Sequence, residues 1–267
     1  MSGSTTRNFK ANAARELAND TLRAALTKSK GHFTDGRTTA AENLPEFEAL
    51  RDQSRDIKNH TIENLDFYLE AYEEKVRESG GHVHWARTAE DARQIVLGIC
   101  RSVDAKAVNK GKSMISEECE INEMLEANGI RAVETDLGEY IIQLRGEKPS
   151  HIIAPAVHLT KGQVEESFRA NHTHLDPDRV LEEPPTLLDE ARTILRKKYF
   201  EAEVGMTGAN LLIAETGSSI IVTNEGNGDL SQLIPKVHIV LASVEKIVPT
   251  LEDASTILRV LARSATG

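Results

Sequence analysis

The chain has 267 residues, of which 39% are hydrophobic and 28% are charged, and its net charge is −10. This composition is typical of a globular protein with one large domain, or one domain with an appendage. No run approaches the roughly 18 apolar residues of a membrane span, and the N-terminus lacks an apolar signal core, so we expect no membrane span and a cytoplasmic location. The acidic balance argues against nucleic-acid binding. Two cysteines are too few for a disulfide scaffold or a four-cysteine metal centre.

Charge divides the chain into two parts. Residues 1–60 carry 10 basic and 8 acidic side chains, whereas the remaining residues carry 22 basic and 34 acidic ones. Apolar spacing in the first part predicts two polar helices, separated by a break at residues 31–36, with the second at residues 44–59. We expect residues 1–60 to form an N-terminal helical arm that packs on a partner or on the main domain, residues 61–267. A partly disordered tail is the alternative.

From residue 62 onward, the pattern alternates between helices and strands. Strands are predicted at residues 82–86, 105–109, 130–135, 151–154 and 237–241, the last of them central in the sheet. Helices are predicted at residues 62–79, 89–103, 117–128, 160–170, 186–203 and 251–263. A predicted hairpin, with strands at residues 205–214 and 218–223, precedes a tight turn at residues 224–228. This alternation predicts an α/β fold, with a mostly parallel sheet and flanking helices.

The densest polar cluster lies between a predicted strand and a predicted helix, at residues 109–118 (NKGKSMISEE). In an open α/β sheet, ligands bind beyond the carboxyl ends of the strands. Lys110, Lys112 and a helix N-terminus favour an anion such as a carboxylate or phosphate. The phosphate-binding loop motif is absent. The alternative is structural, with Glu117 and Glu118 complementing the helix dipole.

Two further polar clusters follow along the chain. Glu134, Asp136 and Glu139 place three carboxylates after a strand, where they would hold a cation, orient a substrate or form a solvated loop. Residues 215–218 (ETGS) and 224–228 (NEGNG) combine glutamates with glycine and asparagine, which allow close approach of the backbone to a ligand. A hairpin turn followed by a second turn is the favoured alternative for this last pattern.

The histidines and cysteines give weaker signals. The pairs at residues 82/84 and 172/174 have the spacing that places both rings on one side of a strand. No carboxylate–histidine frame accompanies either pair, so we predict no metal site. Cys100 lies on an apolar helical face and is predicted to be inert. Cys119 lies near a predicted helix N-terminus, which would lower its pKa.

Several longer motifs occur in a fixed order along the chain. They are residues 112–118 (KSMISEE) followed by Asn122, Leu125, Gly129 and Ile130, then residues 134–143 (ETDLGEYIIQ), 149–158 (PSHIIAPAVH), 205–210 (GMTGAN), 214–218 (AETGS) and 222–227 (VTNEGN). Together they resemble the LUD domain of the lactate-utilisation protein B family. The resemblance covers residues 60–265, and the N-terminal helices resemble that family's lead-in.

The resemblance implies a fold like that of the NagB/RpiA/CoA-transferase group. It also implies a role in oxidising L-lactate to pyruvate within a three-protein electron-transfer complex, whose other subunits would be the partners. In that family a ferredoxin-like region with cysteine motifs for two [4Fe–4S] clusters follows the LUD domain. This chain stops at Gly267 without such motifs. We therefore expect a truncated piece that holds no cofactor itself, with the clusters in a missing C-terminal region. A natural form that lacks the electron relay is the alternative.

The positions that match the motifs imply a pocket for a small carboxylate. Lys110 and Lys112 are expected to hold that carboxylate, and Glu117 or Glu225 is expected to act as a catalytic residue that orients the hydroxyl or takes its proton. The other positions expected to bind substrate are Ser113, Glu134, Asp136, Thr216 and Asn224.

Two other functions stay open at this point. The first is a non-catalytic binding and assembly domain, which would bind a small anion or acyl-CoA or dock partners through residues 1–60. The second is an acyl-CoA transferase, by analogy between Glu215 and the catalytic glutamate of CoA transferases. That analogy operates only at the level of the fold.

Overall fold

The computed structural model describes residues 5–111, 113–150 and 154–265 of the chain. The α-helices in these ranges are α1 (Phe9–Leu17), α2 (Asp20–Glu42), α3 (Phe47–Glu63), α4 (Leu65–Glu78), α5 (Ala89–Ser102), α6 (Met114–Glu118), α7 (Ile121–Ala127), α8 (Leu137–Arg145), α9 (Lys161–Asn171), α10 (Pro184–Glu201), α11 (Asn227–Leu233) and α12 (Leu251–Ala265). The strands are β1 (Ala107–Gly111), β2 (Arg131–Glu134), β3 (Val204–Thr207), β4 (Leu211–Ile213), β5 (Ser218–Ile220), β6 (Val237–Val240) and β7 (Ile247–Val248). None of the helices in these ranges is long and apolar enough to span a membrane.

Four strands form a parallel sheet in the order β2–β1–β3–β6. Lys110 on β1 lies in register with Glu134 on β2 and with Met206 on β3. All five residues of β1 are buried, as expected for a strand covered by helices on both faces. The predicted α/β fold with a mostly parallel sheet and flanking helices is confirmed.

Helices cover the two faces of this sheet with separate apolar layers. On one face, Val96 of α5 and Leu125 of α7 belong to the same cluster as Val108 of β1. On the other face, Phe168 of α9 belongs to a cluster with Val133 of β2. All five side chains are fully buried, and each contributes about 1.5–3 kcal/mol of hydrophobic stabilisation.

A second, smaller sheet contains the hairpin. Its order is β5–β4–β7, with β4 antiparallel to β5 and parallel to β7. The predicted hairpin is confirmed, but its first predicted strand is wrong because residues 205–214 divide between β3 and β4, which belong to different sheets. α12 packs on the smaller sheet by placing Ala254 against Leu211 and Val248.

The N-terminal helices contact the end of the chain. α2 and α3 both pack against α12, and α3 buries Phe47 and Leu50. Glu46, at the start of α3, forms an ion pair of 2.5 Å with Arg259 of α12. Lys58 of α3 donates a hydrogen bond of 3.0 Å to the carbonyl of Ile247 in β7. The division of the chain at residue 60 stays a prediction.

The helix predicted at residues 44–59 is observed at Phe47–Glu63, and two other helices differ from the predictions in their continuity. α2 runs through residues 31–36 without a break, because a glycine inside a helix costs only about 1 kcal/mol. Its start is secured by Asn19, whose side chain accepts from the Leu22 amide at 3.1 Å. Conversely, the helix predicted at residues 117–128 is two helices. Ser113 rather than Ser116 caps α6, and Glu120 interrupts the helix in the left-handed conformation, with φ of 53°.

Other predicted elements also change. Residues 82–86 form no regular structure, and four of these five residues are exposed, so this segment gains little by joining a sheet. Residues 134–139, predicted as a possible solvated loop, instead contain the capped start of α8. β6 is an edge strand rather than a central one, and its residues are half-buried. Residues 151–153 of another predicted strand lie outside the described residues.

α11 lies directly on β3 at a glycine. A Cβ atom on Gly205 would overlap the carbonyl oxygen of Ser231 and would lie 3.1 Å from the Pro235 ring. The strand and the helix backbone therefore approach each other at a distance that only glycine allows.

We predict that Gly205→Ala lowers the free energy of unfolding by about 1–3 kcal/mol, because α11 has to shift to admit the methyl group. Urea unfolding followed by circular dichroism measures this loss. Gly98→Ala is the matched control, since Gly98 is exposed on α5 with no neighbour near its Cβ position and should gain up to about 1 kcal/mol. Equal stabilities of the Gly205→Ala and wild-type proteins would contradict the prediction.

Candidate functional site

The carboxyl ends of β1, β2 and β3 meet at one edge of the parallel sheet. From β1 the chain crosses to β2 on one side, whereas β3 and β6 lie on the other side, so the strand order reverses next to β1. Such a reversal opens a crevice at the carboxyl edge, where α/β proteins bind ligands. α6, α8 and α11 begin near this edge and surround it.

Lys110 lies at the centre of this edge with almost no exposed surface. Its Nζ atom is 2.7 Å from Glu117 Oε1 and 2.7 Å from Glu134 Oε1. The Asn122 amide of α7 also donates to Glu134 Oε1, at 2.7 Å. Burial lowers the pKa of Lys110, but Glu134 and Glu117 more than offset this effect, so its pKa is raised and the side chain is an ammonium ion. A buried ammonium ion requires such partners. We call Lys110, Glu117, Asn122, Glu134 and Glu139 the Lys110 cluster.

Glu139 of α8 adds a further carboxyl group to this cluster. Burial, followed by the negative charges of Glu134 and Asp136, raises the pKa of Glu139 to about 8. Glu134 Oε2 and Glu139 Oε2 are both buried and accept no hydrogen bond from a described donor. A hydrogen bond between the Glu139 and Glu134 side chains also raises the pKa of Glu139, so the arrangement favours a protonated Glu139 that shares its proton with Glu134.

A group of hydroxyls lies on the opposite face of the same edge. The Thr135 hydroxyl donates to the carbonyl of Lys110 at 2.8 Å and lies 3.3 Å from Ser231 Oγ of α11. A Cβ atom on Gly111 would lie 3.2 Å from Thr135 Oγ1 and 3.7 Å from Asn227 Nδ2, so the absence of a side chain at Gly111 leaves room here. Asn227 Nδ2 is buried without a described acceptor.

Asp136 and Glu225 lie where α8 begins. The Asp136 side chain accepts from the amides of Gly138 and Glu139, at 3.0 and 3.3 Å. Glu225 Oε2 accepts a longer hydrogen bond, of 3.4 Å, from the Leu137 amide. Asn224 is exposed in the same loop as Glu225. The helix start thus holds one buried carboxylate and faces one exposed carboxylate.

The predicted site residues lie in several different places. The structure brings together Lys110, Glu117 and Glu134 in one cluster, with Asp136 and Glu225 at the start of α8. Ser113 is buried and caps α6, accepting from the Ser116 amide at 3.3 Å. Lys112 lies outside the described residues.

Thr216 lies elsewhere. It is in the turn between β4 and β5, where its hydroxyl accepts from the Ser218 amide at 3.3 Å. The adjacent Gly217 packs closely against the backbone of α4. Glu215, the glutamate compared with that of CoA transferases, is exposed and accepts from the Leu251 amide at the start of α12, at 3.1 Å. The hairpin turn thus has local structural contacts of its own.

Sequence reasoning missed several members of the site. Glu139 was noted in a cluster of three carboxylates but was not included among the substrate-binding residues, and Asn122 was recognised only within a motif. Thr135, Asn227 and Ser231 carried no role. Asp136 was the available sequence signal for Glu139. A capping residue three positions before Glu139 predicts that a helix begins there, and in that helix Glu139 turns back towards the strand.

His172 belongs to one of the two histidine pairs for which no metal site was predicted. His172 Nε2 lies 2.7 Å from the Tyr140 hydroxyl, and Nδ1 lies 2.7 Å from Glu190 Oε1, so both ring nitrogens have partners. Within residues 5–111, 113–150 and 154–265, no three His, Cys, Asp or Glu side chains form a group that could hold a metal ion. The pKa prediction for Cys119 was wrong, because burial of the thiol raises its pKa. Cys119 lies between the end of α6 and the start of α7.

The motif residues at this edge agree with a match to a known family. Residues 69–267 match the LUD domain. The chain belongs to the LUD domain family. Lactate utilization protein B of Bacillus subtilis (strain 168) is 42% identical over 262 residues, which are 97% of this chain and 53% of that protein. The proteins of the same name from Bacillus velezensis and Bacillus licheniformis are each 41% identical, over 97% and 98% of this chain and 54% of theirs.

The chain therefore spans about half the length of these relatives. No solved structure matched this LUD domain protein.

The cysteines of this LUD domain protein do not fit an iron–sulfur cluster. A [4Fe–4S] cluster needs four thiolates, and the chain has two cysteines. Cys100 and Cys119 are both free thiols buried in the apolar layer over the sheet. Burial raises the pKa of Cys100 to about 11, which disfavours the thiolate that a metal requires.

Removing the charge of Lys110 should destabilise the folded protein. We predict that Lys110→Met destabilises the protein by about 3–5 kcal/mol, because Glu117 and Glu134 lose their shared cation. Denaturant unfolding measures this loss. Lys106→Met is the control, since Lys106 is exposed just before β1. A loss no larger than that of the control would show that the buried ion pairs contribute little.

Glu139 should make stability depend on pH. Because its pKa rises from 4.5 to about 8 on folding, the folded protein holds a proton that the unfolded chain releases in this range. Stability therefore falls as pH rises from 4.5 towards 8. We predict that Glu139→Gln removes this fall. The melting temperature of the variant minus that of the wild type should therefore increase from pH 5 to pH 8. Glu126→Gln, at an exposed position of α7, should show no such trend. A constant difference for Glu139→Gln would contradict a shared proton.

Proposed function

We propose that this LUD domain protein takes part in lactate utilisation, by binding a small 2-hydroxy carboxylate for oxidation of L-lactate to pyruvate. The observation that carries this proposal is the convergence of separate sequence motifs on one carboxyl edge, in a chain whose relatives are named lactate utilization protein B. We further propose that it works with the other subunits of an electron-transfer complex. The electron-accepting [4Fe–4S] clusters would be held by cysteines that this chain does not contain.

The charges of the site determine how it would hold a carboxylate. Lys110 has three N–H donors, and among the described residues Glu117 and Glu134 accept two of them, so we propose that the third donates to a ligand oxygen. Because two carboxylates already offset the Lys110 charge, an incoming anion needs further cationic or neutral donors. We propose that Lys112 supplies the cation. The protonated Glu139 would keep the cluster from becoming more negative at neutral pH.

The hydroxyl group of the ligand would meet a base at the rim. Glu117 has 37% of its side chain exposed, and Glu225 is exposed beside Leu137. Either carboxylate can accept the hydroxyl proton from a ligand in the crevice. Ser113, Glu134 and Asp136 would act by fixing the surrounding helices, since each is buried and hydrogen-bonded or ion-paired to a neighbouring element.

Growth on L-lactate tests this proposal. In a strain that depends on this protein, Lys112→Ala and Glu117→Ala should each slow growth on L-lactate at normal expression, because the anion and proton partners are lost. Glu118→Ala is the matched control, since Glu118 is an exposed neighbour on α6. Normal growth of both variants would reject the catalytic role. A binding and assembly role, in which the domain only docks partners, would then account for the motifs better.

A further inference from the structure

A second polar cluster lies beyond the C-terminal end of α8, in a cleft of about 420 Å³. Glu147, Ser150 and His158 line this cleft together with residues of α1, the start of α2 and the start of α9. None of these three residues belongs to the Lys110 cluster. A hydroxyl, an imidazole and a carboxylate beside a cavity are the components of a nucleophilic serine site.

The three side chains form a linear chain of hydrogen bonds. His158 Nδ1 lies 2.7 Å from Ser150 Oγ, and His158 Nε2 lies 3.0 Å from Glu147 Oε2. Burial raises the pKa of Glu147, but hydrogen bonds from Arg145 and His158 outweigh it and lower the pKa, so Glu147 is a carboxylate. A carboxylate only accepts hydrogen bonds, so Nε2 carries a proton. In a neutral imidazole, Nδ1 is then the acceptor that faces the serine hydroxyl.

Among the described residues, the serine hydroxyl has one competing acceptor. Ser150 Oγ also lies 3.0 Å from the carbonyl of Pro155. That carbonyl already accepts from the Ser150 amide at 3.1 Å, so it does not need the hydroxyl proton. The imidazole is the closer partner of the two and the stronger base. The hydroxyl is therefore placed to lose its proton to His158.

Gln163 of α9 supplies a neutral donor to the same cleft. Its Oε1 atom accepts from the Thr160 amide at 2.9 Å and from the Thr160 hydroxyl at 3.0 Å. This anchor fixes the orientation of the amide group and leaves the Nε2 hydrogens for a group in the cleft. A fixed amide donor is suited to an oxygen that becomes negative during acyl transfer.

We propose that Ser150, His158 and Glu147 form an acyl-transfer site that hydrolyses small, uncharged carboxylic esters. Leu22 and Leu159 offer apolar contact for a short acyl chain. The two carboxylates that line the cleft, Glu16 and Glu147, outnumber its one lining cation, Arg145, and so disfavour an anionic chain. This activity is separate from lactate utilisation, and it uses no residue of the Lys110 cluster.

The reaction balances with water as the only co-reactant. Ser150 Oγ attacks the ester carbonyl carbon while His158 Nδ1 takes the hydroxyl proton. The carbon–oxygen bond to the alcohol breaks, and the alcohol leaves with the proton from His158. Water then attacks the acyl-serine ester, gives one proton to His158, and releases the carboxylic acid as Ser150 recovers its proton.

Labelling with a fluorophosphonate probe tests the nucleophile in the whole chain. The expected result is one phosphonylated residue, Ser150, found by peptide mass spectrometry, with the rate reduced at least about 100-fold in His158→Gln. His84→Gln, at an exposed histidine in irregular backbone, should label at the wild-type rate. Absence of a Ser150 adduct, or an equal rate in His158→Gln with its circular dichroism unchanged, would overturn the proposal.

A cysteine substitution tests the base in case the loop variants fold poorly. In Ser150→Cys, His158 should lower the thiol pKa, so alkylation by iodoacetamide should reach half its maximal rate at least about one pH unit below the ordinary value near 8.5. Ser218→Cys, at an exposed position of the hairpin, serves as the reference thiol. The native thiols, Cys100 and Cys119, are buried, and the wild type gives their background. A Ser150→Cys midpoint equal to the reference would show that His158 does not act on this position.

Discussion

The buried ammonium ion of Lys110 is the constraint on which the carboxyl edge depends. A lysine in that position cannot remain charged without partners, and the two partners come from different elements, β2 and α6. Each ion pair therefore fixes the position of an element as well as neutralising a charge. Asn122 extends the same network to α7. Burial, together with the nearby charges of Glu134 and Asp136, raises the pKa of Glu139 in the same arrangement and favours its protonated form.

The alternation of strands and helices allowed the fold class to be predicted, because parallel pairing places the carboxyl ends of successive strands at one edge. That rule brought Lys110 and Glu134 into one expected region. It gave no information on whether they would bind each other or a ligand, since both outcomes use the same residue types. The burial of Glu139 was not predicted, because a cluster of carboxylates in a sequence is typical of a solvated loop. The helix that Asp136 caps buries it instead.

Thr216 shows a different limit of sequence reasoning. Residues 205–218 read as neighbouring motifs, but the chain leaves the main sheet after β3 and enters the smaller sheet at β4. Proximity along the sequence therefore does not carry over to proximity in the fold. The change of sheet depends on the packing of β4 against β7, a two-residue strand that local pattern does not reveal. The strand at residues 237–241 was predicted to be central because it is almost entirely apolar, whereas β6 lies at the edge of the main sheet.

Two histidine networks in this molecule use similar groups in different settings. His172 joins Tyr140 and Glu190 across α8, α9 and α10, and Arg179 binds the same glutamate at 2.6 Å. Its ring lies with its centroid 4.8 Å from that of the Phe168 ring, and 3% of the residue is exposed, so the network is enclosed by the core. His158 has a comparable pair of partners, but its cluster borders a cleft. Access to a cavity distinguishes a group that stabilises helices from one that can meet a ligand.

The contact between Gly205 and Ser231 has a mechanical consequence. The C-terminal half of α11 rests on bare strand backbone, so this half cannot approach the sheet further, and the Pro235 ring lies beside it. The loop that carries Glu225 is joined to the opposite end of the same short helix. A movement of α11 as a whole, which would carry this loop with it, is therefore limited at Ser231. A glycine in the main sheet therefore limits how far the helix next to the rim of the candidate site can move towards the sheet.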